Sequence, residues 1–269
     1  MKTILLPVEP NAGIEASFKC AALLAARFES RIDCIALKPS IVDFIAPDPV
    51  VVILPQNSYS DGDAVKAARD RYDALSRANG ESAFAWPGRA AIDDAGLALL
   101  SRIYDITVVG RPGVGRNEPR MTTLEAALFE SGRPVLMAPP SSPKTLGTNI
   151  LVHWNASTET ARVLLDALPL LKQASKVTLL SVEGNMVPGP KPEEMLENLT
   201  LHGVNGSAAY VRPATKGAAG EAILVEARKI GADLILKGAY TQSRLRQMIF
   251  GGATQHVLQV SDIPVFLTH

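Results

Sequence analysis

One stretch of the chain decides the fold. Residues 234–254 read Leu234-Ile-Leu-Lys-Gly238-Ala-Tyr-Thr241-Gln-Ser243-Arg244-Leu-Arg246-Gln-Met-Ile-Phe-Gly251-Gly252-Ala-Thr254. The apolar run predicts a buried strand, and the residues after the glycine predict a turn that opens a helix. Glycine lets a backbone approach an oxygen closely, and the N–H groups at a helix start can donate to it. The stretch therefore predicts a phosphate-binding turn at the end of a strand.

Short apolar runs of the same kind recur along the chain, each followed by a helix-like stretch. They lie at 3–8, 31–37, 83–86, 106–109 and 134–138, and at 149–154, 176–182, 208–211, 234–236 and 263–267. Apolar runs without alternation are typical of strands buried on both faces, as in parallel sheets under helices. We therefore predict an α/β fold with two tandem, doubly wound, five-stranded parallel sheets.

The two halves repeat one pattern in the same order. The matching pairs are Ile4-Leu-Leu-Pro-Val-Glu9 with Ile150-Leu-Val-His-Trp-Asn155, Val108-Val-Gly110 with Leu236-Lys-Gly238, and Ser131-Gly-Arg-Pro-Val-Leu136 with Ser261-Asp-Ile-Pro-Val-Phe266. Any two α/β halves resemble each other, but three ordered matches favour a duplication. We predict domains at 1–140 and 148–269, joined by a linker at 141–147 that is rich in proline, serine and glycine. Residues 39–61, with four prolines, are interpreted as a surface excursion: a lid, a partner contact or a variable loop.

Composition narrows the function. Lysine plus arginine and aspartate plus glutamate are 27 each among 269 residues, which does not favour nucleic-acid binding or an anionic membrane surface. No run approaches the roughly 18 apolar residues of a membrane span. Cys20 and Cys34 are the only cysteines, so we expect reduced thiols, buried as small hydrophobes, and a cytoplasmic location.

The sequence does not predict an enzyme. It contains no Gly-x-Ser-x-Gly elbow and no P-loop motif, and no dinucleotide-binding glycine motif follows the first strand of either half. The four histidines have no metal-ligand spacing, and His153 is assigned to a buried strand. No set of residues supplies a nucleophile, a base and an orienting group.

Two tandem units with these motifs resemble the universal stress protein family in its two-domain form. The resemblance implies an adenine nucleotide alpha hydrolase-like fold and a motif of Gly, two residues, Gly, nine residues, Gly and Ser or Thr, which holds ATP phosphates in members that bind ATP. It also implies that the last strands, 134–138 and 263–267, pair to form an intrachain pseudo-dimer. A homodimer of two chains is a further expectation.

In the second half the motif is partly kept. Gly238 and Gly251 match it, whereas Thr241 stands in place of the second glycine and Gly252 in place of Ser or Thr. Asn155 stands where the family has an acidic strand-end residue, with capping of the next helix as the alternative role. The predicted nucleotide-binding residues are Asn155, Val182, Gly238, Thr241, Arg244, Gly251, Gly252, Ala253 and Thr254. We expect no catalytic residue and no metal ligand.

In the first half the motif is more altered. Glu9 keeps the acidic position and Gly110 and Gly113 keep the first two glycines, but Thr123 and Leu124 replace the rest. We therefore predict a structural turn there, and one nucleotide site in the second half.

Three functions remain open at this point. The first is a non-enzymatic stress protein that binds ATP or another adenine nucleotide and acts through an unknown protein partner. The second is a nucleotide-free scaffold with decayed sites, whose stability would be indifferent to Gly238→Val. The third is a slow ATPase, for which the motif offers cationic Arg244 and Arg246 but no metal-holding carboxylate.

Overall fold

The structure is a computed structural model and describes residues 1–38, 61–115, 117–215, 217–239 and 252–269. The strands are β1 (Thr3–Val8), β2 (Arg31–Ala36), β3 (Phe84–Ala85), β4 (Ile106–Gly110), β5 (Val135–Ala138), β6 (Asn149–His153), β7 (Lys176–Val182), β8 (Gly206–Val211), β9 (Leu234–Gly238) and β10 (Val265–Thr268). The helices are α1 (Ile14–Phe28), α2 (Asp61–Ala78), α3 (Asp94–Ser101), α4 (Met121–Glu130), α5 (Thr158–Asp166), α6 (Leu168–Leu171), α7 (Pro192–Leu201), α8 (Ala219–Lys229) and α9 (Ala253–Val260). Most of the predicted excursion, residues 39–60, lies outside the described residues.

All ten described strands join one sheet in the order β3-β2-β1-β4-β5-β10-β9-β6-β7-β8. Pairing is parallel within each half, which confirms the predicted α/β class. The halves meet where β5 pairs antiparallel with β10, with Leu136 opposite Phe266. The last strands thus pair as expected. The two predicted sheets become one, because an apolar edge strand is stabilised when a neighbour covers it.

Both faces of the sheet are buried except along the edge strand β8, whose residues are exposed or half-buried. Alternate strand residues such as Leu6 and Val152 pack under α1, α2, α5, α6 and α7. Their neighbours, such as Leu5 and Leu151, pack under α3, α4, α8 and α9. Burial on both faces explains why the strands are apolar without alternation.

The two halves use the same local devices at corresponding places. The Asp105 carboxylate accepts from the backbone N–H of Thr3 (3.0 Å) at the start of β1, and Asp233 accepts from that of Asn149 (2.9 Å) at the start of β6. Before the last strand of each half, the hydroxyl of Ser131 accepts from the N–H of Arg133, and that of Ser261 from the N–H of Ile263. Repetition at this level of detail matches the repeated sequence.

Side chains also tie the halves together outside the sheet. Arg27 of α1 donates to the carbonyl of Leu146 (2.8 Å) in the linker and to that of Gln173 (2.9 Å) in the second half. The rings of Phe129 and His269 meet edge-on at 4.8 Å. Across the described ranges, no helix is long and apolar enough to cross a membrane.

Candidate functional site

The strand order places one crevice in each half. Chain direction across the sheet reverses between β1 and β4, and again between β6 and β9. In open α/β sheets, ligands bind beyond the carboxyl ends of strands at such a reversal. Of the predicted strand-end residues, Asn155 comes just after β6 and Gly238 is the last residue of β9. These two strands are parallel neighbours, so the fold brings both residues to the same edge of the sheet.

Asn155 supports the turn that leads from β6 into α5. Its side-chain oxygen accepts from the backbone N–H of Ser157 (3.2 Å) and from the hydroxyl of Thr160 (3.1 Å). Ser157, not Asn155, is the N-cap of α5, because its hydroxyl accepts from the backbone N–H of Thr160. Between them, Ala156 has a positive φ of 66°, which is uncommon for a residue with a side chain.

Gly238 has a packing reason to be glycine. A Cβ built on Gly238 would lie 2.6 Å from the carbonyl carbon of Glu159 and 2.7 Å from the backbone nitrogen of Thr160. The end of β9 therefore touches the first turn of α5 directly. The scaffold hypothesis expected that Gly238→Val would leave the stability of the protein unchanged. This expectation is wrong, because the added side chain would collide with α5 whether or not the site binds a ligand.

The other predicted residues divide into two groups. Val182 ends β7 and is fully buried, Gly252 is the N-cap of α9, and Ala253 and Thr254 form its first turn. Ala253 is held against α8, since a Cβ on Gly220 would lie 2.8 Å from its carbonyl oxygen. Thr241, Arg244 and Gly251 lie outside the described residues.

Two buried polar side chains stand beside this crevice. Lys237 of β9 is 3% exposed, and its ammonium donates to the carbonyl of Gly238 at 3.2 Å. His153 of β6 lies directly opposite Lys237 in the parallel register and is 0% exposed. Burial and the neighbouring charge of Lys237 lower the pKa of His153 well below its usual value. A hydrogen bond with the side chain of Asn185 acts in the opposite direction. Burial alone lowers the pKa of Lys237 from 10.5 to about 8.

The crevice of the first half contains a network of charged groups from the chain itself. Arg120 forms ion pairs with Glu9 (3.5 Å) and Asp94 (3.1 Å). Asp94 also accepts from the hydroxyls of Thr122 and Thr123, both at 2.7 Å. Thr123, which stands in place of the third motif glycine, thus serves a contact between α3 and α4.

Pro119 occupies the space beside the first glycine of that motif. A Cβ on Gly110 would lie 2.6 Å from Cγ of Pro119, and one on Gly13 would lie 2.8 Å from the same atom. Only a small cavity remains, and Glu9, Gly110, Pro119 and Arg120 are among its lining residues. These contacts agree with the predicted structural role of the first-half turn.

Comparison with known proteins gives matches at two levels. The model of the universal stress protein family matches residues 148–269. Residues 148–269 form a universal stress protein domain. A segment of 52 residues is 38% identical to the stress response protein NhaX of Bacillus subtilis (strain 168), covering 19% of this chain and 31% of NhaX.

The whole chain shares the fold of a solved universal stress protein. The crystal structure of a universal stress protein from Archaeoglobus fulgidus DSM 4304 superposes with a TM-score of 0.72 at 17% identity, over 99% of this chain and 95% of that one. A protein of unknown function from Pseudomonas aeruginosa PAO1 gives a TM-score of 0.58 at 13% identity, over 100% of this chain and 92% of that one. At these identities the likeness concerns the fold.

Sequence reasoning missed several residues of the universal stress protein domain and of the first-half crevice. It assigned His153 correctly to a buried strand but passed over Lys237, although a lysine inside the apolar run Leu234–Gly238 was a visible signal. It also missed the bonds of Asp94, because they join residues 26 to 29 positions apart. In the part of the chain that is described, no three acidic, histidine or cysteine side chains come together as metal ligands would.

Proposed function

We propose that this protein is a non-enzymatic stress-response protein that binds an adenine nucleotide in its second half. The observation that carries the proposal is the strand reversal between β6 and β9, where Asn155 and Gly238 come to one edge of the sheet. The family match over 148–269 supports a role in the stress response. Asn155 would hold the sugar or base, and the first turn of α9 would present backbone N–H groups to phosphate.

The residues at this edge fit an anionic ligand. The ammonium of Lys237 is buried beside Gly238, and the imidazole of His153 is buried on the neighbouring strand, directly opposite Lys237. Such groups are stabilised by an oxygen-rich partner more than by apolar packing. The first-half crevice is different, because Arg120 already pairs with Glu9 and Asp94 there. We therefore propose one nucleotide site per chain.

The nucleotide would act by changing a surface that a protein partner reads. We place this action in the cytoplasm, because Cys20 and Cys34 are free and buried, as thiols are in reducing compartments. The pairing of β5 with β10 makes the intrachain pseudo-dimer. A homodimer of two chains would have to use another surface, since these strands already cover each other.

The proposal is tested by release and by stabilisation. Denatured, purified full-length protein is analysed by mass spectrometry for ATP, ADP and AMP, and its melting is followed with each nucleotide at millimolar concentration. A ligand of the native state at 100 times its Kd raises stability by about 2.7 kcal/mol, so we expect a clear upward shift in melting temperature. Sodium chloride at matched ionic strength is the control. No released nucleotide and no shift with any of the three would contradict the proposal.

A scaffold function is the second candidate, and the first half favours it locally. Pro119 and the Arg120 pairs occupy the crevice that a ligand would need there. If the crevice of the second half were also filled by the chain's own side chains, nucleotide would leave the melting temperature unchanged. The same melting experiment thus separates the two functions.

A further inference from the structure

Lys237 is an unusual residue for its position. It is the only charged residue of β9, between Leu236 and Gly238 on a central strand of the sheet. Its side chain is 97% removed from solvent and ends at the carbonyl of Gly238, 3.2 Å away, at the carboxyl end of the strand. The ammonium therefore lies at the edge where the crevice opens.

His153 stands beside it on the same face of the sheet. The two residues are register partners on neighbouring parallel strands, so their side chains point to the same side. This is the side covered by α8 and α9, because Leu151 and Ile235, two positions earlier on each strand, pack there. His153 is 0% exposed, and the side chain of Asn185 is a hydrogen-bonding group beside its ring.

No acidic group balances this pair in the described part of the chain. Among the described residues, the ammonium of Lys237 donates to the carbonyl of Gly238 and forms no ion pair with a carboxylate. Glu159 approaches Gly238 from α5, which packs on the opposite face of the sheet. A buried cation without a counter-charge is costly, and an anion beside it removes that cost.

The start of α9 adds donors on the same face. This helix has eight residues, and its N-cap is Gly252, which has no side chain that could cap the first N–H groups. Val257 and Leu258 of α9 belong to the same core as Leu151 and Ile235. The N-terminal N–H groups of a helix attract anions, and here the buried ammonium of Lys237 provides an independent reason to expect one.

The first half lacks the pair. By the repeated pattern, Pro7 corresponds to His153 and Val109 to Lys237, and both are apolar. Pro7 and Val109 line the small cavity next to the charged network of Arg120. The basic pair is therefore particular to the half that matches the universal stress protein family.

We propose that Lys237, with His153 beside it, recognises a phosphate group, so that the second-half crevice selects phosphorylated adenine nucleotides over adenosine. This inference rests on the proposed function, since it names the group of the nucleotide that the site reads. The phosphate could also come from inorganic phosphate alone, and the test separates the two sources. Lys237 donates to the phosphate oxygens, and His153 supplies a second donor.

The test is a set of affinities measured by calorimetry on the full chain. Wild type, Lys237→Met, Lys237→Arg and Lys176→Met are each titrated with AMP, adenosine and inorganic phosphate. Lys176 is exposed at the amino end of β7, so its variant matches the loss of charge away from the crevice. Loss of a hydrogen bond to a charged group weakens binding by about ten- to a hundredfold. We expect that loss for AMP with Lys237→Met, little change for adenosine, and wild-type preference in the other two variants.

The outcomes separate this inference from the proposed function. If wild type binds AMP and adenosine equally, or if Lys237→Met keeps the preference for AMP, the inference is overturned and nucleotide binding stands. Binding of phosphate but of neither AMP nor adenosine, lost in Lys237→Met, supports the anion site and contradicts the nucleotide function. Failure of all three ligands contradicts both. Circular dichroism and melting of each variant confirm that it is folded.

Discussion

At the scale of single residues, the buried charge of Lys237 governs stability as well as recognition. Its pKa is about 8 in the folded protein and 10.5 in the absence of burial, so the folded state disfavours the proton. The unfolded chain binds more protons between these values, and native stability therefore rises as pH increases from about 8 to 10.5. Below pH 8 Lys237 is protonated in both states, and the free energy of unfolding is lowered by the full cost of burying its charge.

We predict that Lys237→Met stabilises the ligand-free protein at pH 7 by about 3 kcal/mol, since each pKa unit corresponds to about 1.4 kcal/mol. The gain shrinks between pH 8 and 10.5, where wild-type Lys237 loses its proton. Urea unfolding at pH 7 and pH 10 measures both values. Lys176→Met, at an exposed position, should change neither. A destabilised Lys237→Met protein would contradict the burial argument.

Gly238 permits a close contact between β9 and α5. We predict that Gly238→Ala destabilises the protein by about 2 kcal/mol or more, as overpacking of a filled site does. Two of the three atoms that the new methyl group would meet belong to the backbone of Glu159 and Thr160, which cannot rotate away. Chemical denaturation measures the loss.

Gly115 provides the matched control for that substitution. Its Cβ would meet only Cγ of Glu118, at 3.3 Å, in an exposed turn with room for the side chain to move. Gly115→Ala should therefore be close to neutral. Equal effects of the two substitutions would show that the β9–α5 contact is not tight.

At Gly238 the sequence predicted a close approach to the backbone but not the group that approaches. A glycine at a strand end signals a close approach, and the sequence showed that something comes near. What comes near is the backbone of α5 at Glu159 and Thr160, which is far from Gly238 along the chain but adjacent in space, and no local pattern reveals it. Lys237 carried a stronger local signal, because a charge inside an apolar run is uncommon.

At the scale of elements, Asp94 joins the starts of two helices. It lies in the first turn of α3 and receives three bonds from the region where α4 begins, from Arg120, Thr122 and Thr123. Arg120 in turn reaches Glu9 at the end of β1. One carboxylate thus fixes α3, α4 and, through Arg120, the edge of the sheet.

We predict that Asp94→Ala costs about 3 kcal/mol, because it leaves a partly buried arginine and two hydroxyls without this partner. Its neighbour Asp93 gives a matched comparison, since it is the N-cap of α3 and its side chain accepts from the N–H of Gly96. Asp93→Ala should cost about 1 kcal/mol, the usual value of an N-cap. Urea unfolding of both variants measures the difference. Equal losses would mean that the Asp94 bonds add nothing beyond helix capping.

Elements were predictable where their cause is local. Every described strand falls at a predicted apolar run. On the inner strands burial on both faces leaves a continuous apolar signature, whereas the edge strand β8 is exposed or half-buried. The pairing of the last strands of the two halves was predicted from the resemblance to a family. The residues at 134–138 and 263–267 do not by themselves indicate which strand each of them pairs with. The bonds of Asp94 were not predictable, as they follow from the tertiary packing of α3 against α4.

At the scale of the whole molecule, the two halves form one structure. The sheet continues through β5 and β10, with Met137 opposite Val265 and Val135 opposite Leu267. Arg111 donates to the carbonyl of Ser261 at 3.2 Å, and Arg27 donates to one carbonyl of the linker and one of the second half. Separation would expose apolar strand edges and leave these groups in water.

We predict that the halves unfold together in a single transition. The chain has two tryptophans, one per half, so Trp86→Phe and Trp154→Phe each leave one fluorescent reporter. Within each variant, the urea midpoint by fluorescence of the remaining tryptophan should equal the midpoint by circular dichroism, whatever the substitution does to the stability of that variant. Two midpoints within one variant would show that the halves unfold independently.

A substitution at the junction sharpens this prediction. Phe266 and Leu136 are fully buried register partners, and Phe266→Ala should cost about 3–5 kcal/mol as a large-to-small core change. If the halves are coupled, this second-half substitution lowers the midpoint reported by Trp86 in the first half as much as that reported by Trp154. A shift confined to Trp154 would mean that the β5–β10 ladder joins two independent domains. Coupling would also let a nucleotide bound near Lys237 stabilise the first half, which has no ligand of its own in the proposed function.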